Sequence, residues 1–396
     1  MILKNCRLIP ELSGHVNYQL ADVTIEDGKI TSIVHESSSD NPAEDYIDCK
    51  GKTLMPGLID LHMHLCTAGC GIGIEYKDDF DTMAKACRSA QAYLACGYTT
   101  IRDMGSTNGV ASAVRDLINS GIMTGPNIIS SSKMIIPSGM LEGRDDNTAY
   151  YSASGVTEIE KAVREVIGET RADVVKIYAS GSAYNPGGEP QLTIMTNDEV
   201  RAAVRMAVFR KRKVAAHCHS AAAISMCIDE GVYTIEHGSY INDADIEKLK
   251  RGNSYLIPTM TPYYNNSGDD SDFRAKILSE MGQNVGSHMN KAYIAGLKLG
   301  FGTDSSDGNF HSKYGIEFYQ RKKLCGMEDL DILLQATKNS AEIAGLSETV
   351  GEVREGLTAD LILMNGMPDK DISVMYEPPE MVIKSGKIFF NNNILY

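Results

Sequence analysis

Nowhere in the 396 residues do about 18 apolar residues run together, the length a membrane-crossing helix requires, so no such helix is expected. The start, Met1-Ile2-Leu3-Lys4-Asn5-Cys6-Arg7, lacks the charged-then-apolar layout of a secretory signal, and a cytoplasmic location is the expectation. Cations are also short. The 38 Lys and Arg stand against 52 Asp and Glu, giving a formal net charge of −14 and a pI near 5.1. With no basic block to offset that excess, neither nucleic acid nor an anionic membrane is expected as a partner. The run Arg210 to Lys213 is a short local cluster, expected to solvate a helix end where cations complement the dipole. Paired cysteine spacing is lacking too: nine cysteines are an odd number with no repeated interval, so free, buried thiols are expected. Cys66 and Cys70 form a lone C-x₃-C, and a zinc ribbon needs two such pairs.

What is present is a large apolar fraction, 43% of residues, enough to bury a sizeable core without disulfides. One large domain plus a small one fits the length. The first fifty or so residues alternate apolar and polar positions between turn signals, as in Ala21 to Ile30. The C-terminus repeats that character in Ala359 to Met364 and in Met381 to Phe390, a strand, a glycine turn and a strand. Residues 1–55 and 355–396 are therefore expected to build one small β-sandwich together.

Between them, short β-rich runs alternate with helix-length segments, the pattern of repeated βα units on a parallel sheet. Eight runs are counted, centred on Leu58 to Leu61, Thr99 to Arg102, Asn127 to Ser131, Val174 to Tyr178, Val214 to His217, Tyr233 to Glu236, Tyr255 to Thr259 and Leu299 to Thr303. Helical segments follow most of them, for example Asn197 to Arg212 after a Thr196 cap, and Asp329 to Ala344. The expectation for residues 56–354 is an α/β fold, a (β/α)₈ TIM barrel, whose chemistry sits at the C-terminal ends of its strands.

Those ends carry unusual residues. The strand period of two puts His62 and His64 on one barrel-facing side, suited to a divalent metal, although two core histidines bonded to backbone would fit equally. Lys176, inside Val174-Val175-Lys176-Ile177-Tyr178, is costly to bury unless neutralised or paired. Carboxylation to a metal-bridging carbamate and an inward salt bridge are the two readings. His217-Cys218-His219 again places two imidazoles on one face: one a ligand, the other an orienting or substrate-contacting group. His237 ends the sixth run, and Asp304 follows the eighth. Together His62, His64, Lys176, His217, His237 and Asp304 converge in a way that core packing does not explain. His15, His35 and His288 are expected at the surface, and His311 stays open.

Met55-Pro56-Gly57-Leu58-Ile59-Asp60-Leu61-His62-Met63-His64 and Thr99-Thr100-Ile101-Arg102-Asp103-Met104-Gly105 resemble the first- and second-strand signatures of the amidohydrolase superfamily. With Val175-Lys176-Ile177, Ala216 to His219, Ile235 to Gly238 and Gly302-Thr303-Asp304, the chain is most similar to the imidazolonepropionase-related group. That group contains Xaa-Pro dipeptidases, arginine/lysine carboxypeptidases and ochratoxin-type amidases. The resemblance implies two divalent metal ions, zinc, held by the same six residues, with N6-carboxylysine at Lys176 as bridge and Asp304 as proton shuttle. It also implies a homo-oligomer. Two departures bear on substrate: His219 stands where related peptidases often carry Tyr, and Pro137 to Asp146 replaces a Gly-Gly-His-Gly stretch.

The reaction expected is hydrolysis of an amide or peptide bond in a dipeptide or N-acyl amino acid, a small molecule with a free carboxylate. The nucleophile would be a metal-bridging hydroxide. His219 is a candidate oxyanion donor or an orienting group for His217. Arg144 is a candidate for the substrate carboxylate, or else a surface ion pair with the adjacent acids. Tyr178 and Tyr240 are candidates to line the pocket, with local packing as the other reading. The alternatives are a mononuclear deaminase or cyclic-amide hydrolase, for which Lys176 has no obvious work, and a non-catalytic scaffold, from which some of the ligand set would have been lost.

Overall fold

The computed structural model describes residues 1–35, 46–66, 78–140, 149–183, 189–264, 273–306 and 315–391. Arg144, Cys70 and His311 lie outside the described residues. The chain begins with β1 (Ile2–Cys6), β2 (Ala21–Glu26), β3 (Lys29–His35) and β4 (Tyr46–Asp48), which form one sheet in the order β3-β2-β1-β4. β5 (Thr53–Pro56) instead joins β16 (Leu361–Met364), β17 (Met381–Lys384) and β18 (Lys387–Asn391) in a second, antiparallel sheet. The two hairpins turn at Asp27-Gly28 and Ser385-Gly386, all four residues at positive φ, the geometry whose twist matches that of paired strands. Inward residues of both sheets, among them Leu3, Val23, Ile25, Leu54, Leu361 and Ile383, share one buried cluster. Asp360 fastens this region to the rest: it accepts from Lys384 Nζ at 2.6 Å, from Ser385 N at 2.7 Å and from Asn127 Nδ2 at 3.2 Å.

The named strands of the central segment pair in parallel ladders, with one isolated antiparallel bridge from Ser180 to Thr193. One sheet runs through β6 (Leu58–His64), β7 (Tyr98–Asp103) and β8 (Asn127–Ser130), with β15 (Ser305–Ser306) outside β6. The other comprises β9 (Met134–Ile136), β10 (Tyr150–Ser152), β11 (Val174–Tyr178), β12 (Lys213–Cys218), β13 (Thr234–His237) and β14 (Tyr255–Ile257), in the order β10-β9-β11-β12-β13-β14. Strands covered on both faces read as apolar runs, and every residue of β6, β7, β11 and β13 is buried. Helices follow the strands, each stopped or started by its own chemistry. The Asn197–Phe209 helix begins with a capping box between Thr196 and Glu199. Its end leaves Arg210 at the cap, one residue before Lys211, so the basic cluster lies just past the last turn. The Asp329–Ala344 span is helical with a π turn at Gln335–Asn339.

Two runs depart from a regular strand. The third splits, because Ser132 at φ +59° breaks the chain between β8 and β9. The eighth, Leu299 to Thr303, makes only single parallel bridges, Leu299 to Leu256 and Thr259 to Gly302, while Leu61 N donates to Phe301 O at 2.7 Å on its other side. Its glycines are required by crowding: a Cβ on Gly302 would stand 2.8 Å from His62 Cβ and 3.0 Å from Ile257 Cγ2. Gly302→Ala is expected to cost about 1–3 kcal/mol, the usual penalty for overfilling a packed core. Urea unfolding measures it, and an unchanged midpoint would show that this strand yields freely.

The described cysteines are all free thiols, Cys66 being buried against Thr82 O at 3.8 Å. No helix of the described residues is long and apolar enough to cross a membrane.

Candidate metal centre

The strand ends bring the imidazoles of His62, His64, His217, His219 and His237 into one contiguous group. Ring centroids lie 5.6 Å apart for His62 and His64, 4.6 Å for His62 and His237, 4.6 Å for His217 and His237, and 4.5 Å for His217 and His219. Asp304 Oδ1 reaches His64 Nε2 at 3.3 Å and His62 Nε2 at 3.5 Å. Nitrogens of His62 and His237 with an Asp304 oxygen form one set within 4.8 Å, and nitrogens of His217, His219 and His237 form a second. Both His237 (φ +68°) and Asp304 (φ +52°) sit in the left-handed region, a strain of roughly 1–3 kcal/mol each that the surrounding bonds must hold. For Asp304 the holder is Asp60, which accepts from Thr303 Oγ1 at 2.6 Å, Thr303 N at 3.1 Å and His62 N at 3.0 Å.

The ring proton of three imidazoles is fixed by groups that can only accept. His62 Nδ1 donates to Glu236 Oε2 at 2.7 Å, His64 Nδ1 to Gly105 O at 2.9 Å, and His217 Nε2 to Gly181 O at 3.1 Å. Each therefore turns the lone pair of its other nitrogen towards the shared space, as a metal ligand must. Glu236 is itself clamped, receiving Arg102 Nη2 at 2.8 and 3.0 Å with both residues buried. His237 Nδ1 and His219 Nδ1 face hydroxyls instead, Thr259 Oγ1 and Ser239 Oγ, each at 2.7 Å. Among the described residues, His62 Nε2 is buried without a hydrogen-bond partner, an orphan that a cation would satisfy.

Burial drives the titration of the group towards the same end. It pushes His62, His217 and His237 well below the ordinary histidine value, with the neighbouring cations adding to the effect, and brings His219 down to about 4. Neutral imidazoles are the ligating form. His64 moves the other way: burial alone would lower it, but its contact with Asp304 and the Gly105 carbonyl raise it. Lys176 is 1% exposed, and burial brings its ammonium down to about 8, against the pull of Glu236 and Asp304. Its Nζ has no hydrogen bond or ion pair among the described residues. The centroid of the Tyr178 ring lies 5.9 Å from it. Among the described residues, the inward salt bridge that the sequence left open is not formed.

The five imidazoles and Asp304 border a solvent-connected cavity, walled further by Tyr150, Tyr178, Pro262, Tyr263, Leu278 and Met281. Tyr178 lines it, stacked at 4.3 Å on His217. Tyr240 does not. The turn at Gly238 (φ +63°), closed by Ile241 N to Gly238 O at 3.0 Å, carries it past the mouth to lie 6.0 Å from the His288 ring, where it borders a separate cleft with Glu189 and Glu280. His288 is accordingly half-buried rather than at the surface, whereas His15 and His35 are exposed. Arg102, Glu236, Ser239, Thr259, Tyr150 and Tyr263 are not among the residues the sequence singles out as site candidates. The first two stood in view as charges inside strand runs. The tyrosines carry no sequence signal.

Residues 53–389 match the amidohydrolase family. Among curated proteins, the chain is 28% identical over 374 residues to ochratoxinase from Aspergillus niger, covering 85% of this chain and 75% of that one. Among solved structures, it is similar to a Xaa-Pro dipeptidase with bound methionine in the active site, with a TM-score of 0.88, 27% identity, and coverage of 98% and 99% of the two chains. It is likewise similar to a prolidase complexed with N-methylphosphonate-L-proline, with a TM-score of 0.87, 26% identity and the same coverage.

Proposed function

The chain belongs to the amidohydrolase family, and from that premise we propose that it hydrolyses an amide or peptide bond in a dipeptide or N-acyl amino acid with a free carboxylate, using two zinc ions. The observation that carries this is the convergence on one cavity of five imidazoles and Asp304, with the buried Lys176 amine, unpaired among the described residues, 5.9 Å from the ring of Tyr178, which lines the same cavity. The residues that would hold the ions are His62, His64, carboxylated Lys176, His217, His237 and Asp304. When bound, the ions supply Lewis acidity, lowering the pKa of water from about 15.7 towards 7 and polarising the scissile carbonyl.

The chain's own groups do the rest. The Asp304 carboxylate, whose side chain is 18% exposed on the cavity side, takes the proton of the attacking water and returns it to the departing nitrogen. His219 donates to the developing oxyanion from its cavity-facing nitrogen, and Tyr178 and Tyr150 wall the acyl side. Arg144 remains our candidate for the substrate carboxylate. The parallel strands and the bridged eighth run support reading residues 56–354 as a closed eight-stranded barrel. The shared core of the two terminal sheets supports residues 1–55 and 355–396 as its β-sandwich companion. A cytoplasmic homo-oligomer completes the proposal.

Elemental analysis of protein made with zinc and bicarbonate and without chelators tests it, together with a screen of Xaa-Pro dipeptides and N-acyl amino acids. Two ions per chain and release of a free amino acid are expected. One ion per chain would turn the reading to the mononuclear deaminase or cyclic-amide hydrolase, and no ion would remove it.

A further inference from the structure

The turn Thr261–Tyr263, just past β14, walls the cavity with Pro262 and Tyr263, and a carboxylate from a distant helix holds its start. Met260 N and Thr261 N each donate to Glu317 Oε2 at 2.8 Å, and Thr261 Oγ1 donates to the same oxygen, also at 2.8 Å. The turn's own bonds, Tyr263 N to Met260 O and Tyr264 N to Thr261 O, each at 3.1 Å, shape it without tying it to a neighbour. Glu317 ties its backbone amides. The Tyr263 hydroxyl lies 3.1 Å from Ser239 Oγ, a hold on the ring and not on the backbone.

Glu317 belongs to the Ile316–Lys323 helix, and its charge is met one turn further on, where Arg321 Nε donates to Glu317 Oε1 at 2.8 Å. Both side chains are buried, at 0% exposure for Arg321 and 1% for Glu317. The other Arg321 nitrogens donate to Pro258 O at 2.7 Å, to Gly300 O at 3.0 Å and to Gln335 Oε1, so the pair joins the seventh strand run to the eighth. A buried ion pair is weak evidence for stability, because apolar residues of the same volume often serve as well or better. What apolar residues cannot do is accept the three donors of Met260 and Thr261.

We propose that Glu317, charge-balanced by Arg321, is a positioning residue that fixes the Met260–Tyr263 turn and, through Pro262 and Tyr263, the cavity wall that orients the substrate. The proposal rests on the amide-hydrolase reading for its substrate, but not for the turn it holds. The wall acts apart from the ions. Thr259, whose hydroxyl faces His237 Nδ1 at 2.7 Å, is bridged to Gly302 on its own account, so freeing the turn leaves that contact in place. A wall touches the bound substrate in the ground state and the transition state alike, so its loss falls on KM more than on kcat.

The test compares two double variants of the zinc-loaded full chain, Glu317→Gln with Arg321→Gln and Glu317→Met with Arg321→Gln. Neither strands a buried charge, and they differ only in whether residue 317 keeps an oxygen for the turn. In the first, hydrogen exchange at the Met260 and Thr261 amides is expected to stay near wild type; in the second it is expected to quicken about 10-fold or more, the scale of losing such bonds. On the best amide found, the methionine variant is expected to raise KM about 10-fold with kcat within about threefold and both ions kept, while the glutamine variant keeps KM near wild type. Equal exchange in the two variants overturns the proposal whatever the enzyme acts on. Faster exchange with an unmoved KM leaves Glu317 a merely structural part and overturns it too, as does loss of an ion. Should no amide be cleaved, the function reading fails and the exchange still decides whether Glu317 holds the wall. Should the methionine variant not fold, Thr261→Ala, which removes one of the three donors, decides it: exchange and KM are expected to rise together, and no change in either overturns it.

Discussion

Replacing Lys176 by alanine is expected to lower kcat/KM for amide cleavage by about 10³-fold and to take the metal content from two ions per chain towards one. Each decade of rate corresponds to about 1.4 kcal/mol, and metal-assisted catalysis contributes several kcal/mol, so three decades is the scale of losing the shared site. The physical case lies in the amine itself: it is 1% exposed, without hydrogen bond or ion pair among the described residues, and brought down to about 8 by burial. At pH 7 about a tenth is therefore uncharged, and the uncharged amine would add to carbon dioxide to give the proposed carbamate and a proton. Since the neutral fraction grows as pH rises through about 8, reconstitution of metal-free protein with zinc and bicarbonate is expected to quicken over that range. A short carboxylate such as acetate is expected to restore part of the activity of the alanine variant, because it would supply the oxygens that the proposed carboxylated Lys176 would have lent. Full activity in Lys176→Ala would sink the two-ion reading and leave the buried lysine without a role.

Glu236→Ala should be the most damaging change to stability, at about 3–5 kcal/mol, because it leaves the Arg102 guanidinium buried and unpaired. It also removes the acceptor that fixes the His62 ring, for which a loss of about 10–100-fold in metal affinity is expected. The two effects are separable. Arg102→Met combined with Glu236→Met fills the space without a stranded charge, so the denaturation midpoint should recover while zinc affinity stays low. Recovery of both would mean that His62 does not depend on Glu236 for its orientation.

Much of this site was legible in the chain before any fold was known. His62 and His64 at a spacing of two, Lys176 inside an apolar strand, and His217, His237 and Asp304 at the ends of later runs were readable because a strand forces alternate residues to one face. An ionisable group in such a run also has no cheap explanation. The seven earlier strand runs fell close to where ladders form, since buried parallel strands must be apolar. The eighth was harder, because Gly300 and Gly302 are dictated by neighbours from distant strands, Leu61, His62 and Ile257.

Which hydrogen bond backs which imidazole was decided by tertiary structure alone. Glu236 reaches His62 across 174 residues, Gly105 reaches His64 across 41, and Tyr263 reaches Ser239 across 24. Tyr178 and Tyr240 look alike in sequence, each following a ligand strand, but one stacks on His217 and the other is carried past the mouth by the turn at Gly238. Local periodicity determines which residues face inward. Where their protons and lone pairs point depends on contacts between segments far apart in the chain, and those exist only once it has folded.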